Sequence, residues 1–260
     1  MNLERLLLPL LSAILATAAA PASGQASVAT IAATVTAGTS GDRVSGSGRI
    51  ISQDRAIGSF SALRVDGPVR IELKASSREQ VTVRFDDNLV SMIDTRVVPG
   101  TVPTLTIGLI DKAAFRAADE PVVVVEFKVL SEISLRGSGD LHADLVRGPV
   151  LAVSNAGSSD VKIDSLDVDV LGVAIAGSGD FTAAGRAGEQ GFNIVGSGDI
   201  HASRLVGQTV KVRLAGSGDA RVNAAGMLDV SIAGSGDVLY RGSPSIKRRI
   251  AGTGEVRRMD

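Results

Sequence analysis

From Ile133 to the end of the chain, apolar and polar residues alternate, and a glycine-rich corner interrupts the alternation at regular intervals. Gly-Ser-Gly-Asp stands at Gly137 to Asp140, Gly177 to Asp180, Gly196 to Asp199, Gly216 to Asp219 and Gly234 to Asp237. Gly157-Ser158-Ser159-Asp160 and Gly252-Thr253-Gly254-Glu255 are degenerate copies. So regular a recurrence is the mark of a repeat architecture. Two residues before each corner stand Leu135, Asn155, Ile175, Ile194, Leu214, Ile232 and Ile250; four before it stand Ile133, Val153, Val173, Phe192, Val212, Val230 and Arg248. Leu141, Val161, Phe181, Ile200, Ala220, Val238 and Val256 follow the acid directly. A period of two on both sides of a tight corner predicts strand, turn, strand in every copy. A second break carries Gly148-Pro149, Gly185, Gly188, Gly207, Gly226, Gly242 and Pro244.

A unit this short cannot bury its inward face alone. Stacking equivalent units, strand on equivalent strand, gives a continuous core. The prediction is an all-β chain: a right-handed parallel β-helix (solenoid) with about 18–20 residues per turn. The six intervals between Gly137 and Gly252 then span about 29 Å. Helical repeats compete poorly, because β-branched alternation and dense glycine disfavour helix. Upstream, Phe60 to Val65, Val69 to Leu73, Val81 to Phe85, Leu105 to Ile107 and Val122 to Val129 read as less regular strands of the same domain. Asp66-Gly67, Asp86-Asp87-Asn88 and Pro99-Gly100 mark turns between them, and Asp111 to Asp119 reads as a short helix or a surface loop.

Phe60-Ser61-x-Leu63-x-Val65-x-Gly67, Val69-x-Ile71, Val81-x-Val83 and Asp86-Asp87-Asn88-Leu89, followed by iterated Gly-Ser-Gly-Asp, resemble the auto-transporter adhesin head GIN domain, a family of unknown function. The likeness runs over residues 57–260. It implies a right-handed parallel β-helix in bacterial cell-envelope or secreted proteins. It brings no catalytic residues with it.

The N-terminus reads differently. Leu6 to Ala20 is almost wholly apolar and small residues follow, as in a secretory signal. Residues 1–24 are assigned to a signal peptide cut after Gly24 or Ala26, and residues 25–56, rich in Ser, Thr, Gly and Ala, to a flexible linker or frayed leading strand. Residues 57–260 form the domain. The mature chain then has no integral membrane span and lies outside the cytoplasm: periplasm, outer surface or medium.

Composition narrows the chemistry. There are 27 Lys plus Arg against 28 Asp plus Glu, which argues against nucleic acid. Aromatics make up 3% with no Trp, so the core is aliphatic and no Trp platform exists for a sugar. Without Cys there are no disulfides, thiolate ligands or Cys nucleophiles.

The repeated acids are the clearest chemical feature. Stacked Gly-x-Asp turns resemble the calcium-binding β-roll, whose carboxylates bridge Ca²⁺. That roll needs a nine-residue repeat, whereas here the unit is about twice as long with one Asp turn in each. The alternative is structural: each Asp accepts backbone N–H groups of its own turn and the glycines supply positive φ. Gly137, Asp140, Gly177, Asp180, Gly196, Asp199, Gly216, Asp219, Gly234 and Asp237 are therefore read as structural turn residues, with no metal or other cofactor. His142 and His201 share one repeat position three turns apart, about 14 Å, too far for one ion. With Lys162, Arg221 and Arg257 they form a mildly basic outward stripe. No nucleophile elbow, phosphate loop or Ser-His pairing appears, so no catalytic residue is assigned. The expectation is a non-enzymatic, adhesin-like binding module that meets a surface polymer or an envelope protein. The alternatives are a purely structural or envelope-stress protein without a small ligand and, by analogy with other β-helices, a polysaccharide-acting enzyme.

Overall fold

The computed structural model describes residues 44–110 and 115–259. The proposed signal peptide, linker residues 25–43 and Asp111 to Ala114 lie outside the described residues. Among the described residues there is no α-helix and no helix long and apolar enough to cross a membrane; Val90–Met92 is a 3-10 turn.

The repeats form a parallel β-solenoid. Five long strands, Leu141–Gly157, Val161–Gly177, Phe181–Gly196, Ile200–Gly216 and Ala220–Gly234, each bend round one coil and pair in parallel with the next. Corner glycines Gly137, Gly157, Gly177, Gly196, Gly216, Gly234 and Gly252 stack in register. Inward positions stack too: Leu135, Asn155, Ile175, Ile194, Leu214 and Ile232 form one ladder, and every member is at most 2% exposed. Leu141, Val161, Phe181, Ile200, Ala220 and Val238 form a second ladder beyond the corner. With little aromatic volume available, closely spaced Val, Ile and Leu fill the tube.

The uneven repeat length is absorbed away from the corner. Pairing slips between Ile163 and Leu166, between Thr182 and Ala184, and again between His201 and Val206 and between Gly207 and Thr209. These irregularities lie beyond the Asp corner, so the shorter copies keep the corner in register while trimming the far side of the coil.

The upstream strands close the other end. Ala62–Asp66 and Arg70–Ala75 make a coil beneath Glu132–Gly137 and Leu141 to Ala143. Thr104–Leu109 and Val122–Phe127 make a further coil beneath that one. Ile93–Val98 and Gln80–Asp86 then pair antiparallel on the outside, and Ile50–Arg55 adds antiparallel to Gln80–Asp86. Antiparallel strands end the stack because they do not continue the coil. Residues 44–56 of the stretch read as a flexible linker or frayed leading strand are among the described ones. Val44–Ser45 pairs with Phe115–Arg116, and Ile50–Arg55 is a paired strand, so these segments belong to the fold. Small and polar residues hid a strand whose partner lies well downstream in the chain. Phe115 packs edge-on to Phe85, ring centroids 5.2 Å apart, which anchors this segment to the core.

Candidate functional site

The Asp corner is the most repeated polar feature. Its first glycine has positive φ: +136° at Gly177, +128° at Gly196 and +139° at Gly216. The second glycine does not, and is needed for a reason the first shares, closeness to the coil below. A Cβ on Gly179 would overlap the Ser159 carbonyl oxygen of the coil below. The acids also behave differently from the expected own-turn bonding. Each carboxylate accepts the backbone N–H of the acid one coil further on: Asp160 N–H to Asp140 Oδ1 at 3.1 Å, Asp180 to Asp160 at 2.9 Å, Asp199 to Asp180 at 2.8 Å, Asp219 to Asp199 at 2.7 Å, Asp237 to Asp219 at 2.8 Å and Glu255 to Asp237 at 2.8 Å. Parallel stacking at one strand spacing brings the next coil's amide within reach. One oxygen of each carboxylate is thereby engaged along the stack.

The outward stripe follows the expected register: His142, Lys162, Thr182, His201, Arg221, Leu239 and Arg257 stack in order. Most of its cations are matched by acids rather than forming a basic strip. His142 Nε2 lies 2.7 Å from Asp164 and 4.0 Å from Asp144, and Lys162 Nζ lies 3.1 Å from Asp164. His201 lies 3.8 Å from Asp180 and Arg221 reaches the His201 ring at 3.3 Å, while Arg257 contacts Asp237 at 3.4 Å and Glu255 at 3.1 Å. Contact with His142, then Lys162, holds the Asp164 carboxyl below its ordinary range. His142, Asp144 and Asp164 present three potential ligand atoms, all within 4.8 Å of one another. Lys162 already neutralises Asp164, and the two acids are solvent-exposed, so an ion would displace existing pairs to bind. Asp144 and Asp164 escape a reading of the repeat corners alone. Their i+2 spacing from His142 and Lys162, on one side of a strand, is the signal that finds them.

Asp86-Asp87-Asn88 is more than a turn. Gly48 N–H donates to Asp86 Oδ1 at 2.6 Å, Ser47 N–H to Asn88 Oδ1 at 3.0 Å, and Asn88 Nδ2 to the Ser45 carbonyl at 2.8 Å. The Ser47 hydroxyl donates to Asp87, and Arg49 pairs with Asp87 at 2.9 Å. The Ser47 hydroxyl bond, with Arg49 adding to it, lowers the Asp87 carboxyl. The three residues clasp Gly46 to Arg49 onto the cap, and a Cβ on Gly46 would meet the Asp86 carboxylate. Elsewhere on the surface, Asp66, Asp94, Arg96 and Thr106 line an open groove of about 880 Å³, in which Arg96 is paired with Asp94.

Solved structures share this architecture over most of the chain. A putative adhesin of Bacteroides fragilis is 25% identical, with a TM-score of 0.79, covering 83% of this chain and 100% of its own. A putative adhesin of Parabacteroides distasonis is 26% identical, with a TM-score of 0.64, covering 84% of this chain and 100% of its own. A putative lipid binding protein of Parabacteroides distasonis, 23% identical with a TM-score of 0.71, covers 84% of this chain and 100% of its own and shares the fold. No curated protein matches. Residues 59–244 match the family described as "Putative auto-transporter adhesin, head GIN domain", and with that match spanning most of its length the chain belongs to this family.

Proposed function

We propose that this protein is an exported, non-enzymatic binding module of the bacterial envelope, adhesin-like, whose partner is a surface polymer or an envelope protein. The observation that carries the reading is the form of the surface. From Gly137 onward, each Asp corner is tight and in register, so the solenoid offers long, regular outer faces suited to extended contact. The names of the two adhesin relatives at 25% and 26% identity support the same reading. The apolar run Leu6 to Ala20 supports export.

Two measurements test it. Fractionation of the source cell with N-terminal sequencing should recover the protein outside the cytoplasm, beginning near Gln25 or Ser27. Recovery of Met1 in the cytoplasm would remove the export claim. Purified protein should bind isolated envelope material saturably without altering it. Depolymerisation of envelope polysaccharide would favour the enzyme reading, and absence of any binding would leave a structural spacer.

A further inference from the structure

The last coil differs from every coil beneath it. Among the described residues, Ser245–Gly252 pairs only on its inner side, with Met227 to Gly234, and Val256–Arg258 only with Val238 to Tyr240. All eight residues of Ser245–Gly252 are exposed. Its inward positions break the ladder: Arg248 follows Val153, Val173, Phe192, Val212 and Val230 in register, and Ile246 and Ile250 are each 40% exposed. A further coil of the same kind would bury the Arg248 guanidinium over an aliphatic core, which is strongly unfavourable without a partner. This edge is built to receive something other than another repeat.

Its charge says what. Residues 241–260 hold six basic residues against Glu255 and Asp260, whereas the whole chain is nearly neutral. Arg257 is paired with Asp237 and Glu255, but Arg241, Lys247, Arg248 and Arg249 have no ion-pair partner among the described residues. A row of cations on an open strand repels an identical edge from a second copy. The same row attracts an acidic strand.

We infer that the edge strand Ser245–Gly252 is a docking site for an extended acidic segment of a partner protein, added as one more β-strand. Backbone groups along the edge supply hydrogen bonds, as in other strand-addition complexes. Side chains of the incoming strand lie one strand spacing, about 4.8 Å, from those of the edge. Apolar residues there cover Ile246 and Ile250, and acids face Lys247, Arg248 and Arg249. An anionic polymer would satisfy the charges but leave the backbone edge and the two isoleucines unused, which is why a peptide is the better fit. The inference rests on the binding role proposed above and names its partner class.

The test is a titration of the full mature protein with a fluorescent ten-residue peptide of Glu and Val in which Val recurs every fourth residue, so that Val can face Ile246 and Ile250 while Glu faces the three cations between them. Controls are the same peptide with Pro for each Val, which keeps the charge but cannot extend the ladder, and the same peptide with Lys for each Glu. The Glu-Val peptide should bind at least tenfold more tightly than either control. Arg248→Glu should weaken it at least tenfold, whereas Arg204→Glu, the same charge change elsewhere on the surface, should leave it unchanged. Arg249→Glu serves in place of Arg248→Glu if circular dichroism shows that variant misfolded. Equal binding of the Glu-Pro peptide, equal loss in Arg204→Glu, or no binding of the Glu-Val peptide would each overturn the inference. A wild-type protein that ignores the peptide yet still binds envelope material loses this site alone and keeps its proposed role.

Discussion

Both glycines of each corner lie too close to the coil below for a Cβ, and the first has a positive φ as well. At Gly177 a Cβ would overlap the Gly157 carbonyl oxygen of the coil below, and the φ of +136° strains an L-residue besides. At Gly179 the constraint is distance, because a Cβ would run into the coil below. Gly179→Val should therefore destabilise by several kcal/mol, and even Gly179→Ala by about 1–3 kcal/mol, as overpacking does; a thermal melt of Gly179→Ala matching wild type would contradict the stacking distance. Asp180→Asn should be mild, under about 1 kcal/mol, since an amide oxygen still accepts the Asp199 N–H and one charge leaves a stacked column. The corner was legible as a turn because its composition is local. The carboxylate's partner was not, because donor and acceptor lie a full coil apart along the chain and only stacking brings them together. Glu126 shows the same limit: Arg78 holds it with two bonds of 2.8 and 2.9 Å, Ser76 adds a third, and together they lower its carboxyl to about 2. A depressed folded value contributes stability above pH 4.5 that is lost as the pH falls from there towards about 2. In Arg78→Ala, an NMR titration should place Glu126 back near the ordinary carboxylate range; an unchanged low value would assign the effect to Ser76.

At the level of the element, the ladders carry the stability, and one rung is faulty. Ile194 is fully buried between Ile175 and Leu214, so Ile194→Asp should cost several kcal/mol by burying an unpaired charge. His201→Ala, on the outward stripe, should cost under about 1 kcal/mol; equal shifts in Tm would refute the register. Asn155 occupies the same ladder between Leu135 and Ile175 and is 1% exposed. Its Nδ2 donates to the Ser159 carbonyl, but its Oδ1 is buried without a partner. The same copy has Ser159 where the others have glycine, so the two departures from the repeat meet in space. Asn155→Leu together with Ser159→Gly should restore a regular rung and stabilise by about 1 kcal/mol, raising Tm by about 2–4 °C for a domain of this size. A lower Tm in the double variant would show that the Asn155 bond outweighs its unpaired oxygen. Inward and outward residues were readable from period-two alternation alone, which is why the ladder from Leu135 to Ile232 lies where it was expected. Strands such as Ile93–Val98 escaped notice because Asp94 and Arg96 lie on a cap strand with little inward burial to set an alternation.

Across the whole molecule, the coils do not follow the order of the chain. The coil of 104–127 lies below that of 62–75, which lies below the one that begins at Glu132; the chain leaves its second coil to build the first and the antiparallel cap, then returns. Periodicity reveals strands but not which strand lies beside which, and Ala62 pairs with Glu132, on the far side of the whole cap segment. Only the repeats, whose neighbours in space are neighbours in sequence, could be placed beforehand. The two ends of the stack consequently differ in kind. One is sealed by antiparallel strands tied down by the Asp86-Asp87-Asn88 clasp. Among the described residues, the other ends on Ser245–Gly252, exposed throughout and held from one side. In a stack where each coil contacts only its neighbours, stability is roughly the sum of what each coil and each interface contributes, and the end with one interface opens first. Amide hydrogen exchange should therefore be graded: fastest at 245–258, slower at 220–234, and slowest through 161–216, where opening requires the whole solenoid to unfold. The sealed end should resemble the middle rather than the open end, with 62–66 and 70–75 as protected as the central coils. Fast exchange at 62–75 would mean that the cap does not hold the stack. Uniform protection from 62 to 258 would mean that the molecule opens as one cooperative unit, the last coil included, and that its exposed edge is as firmly held as the core.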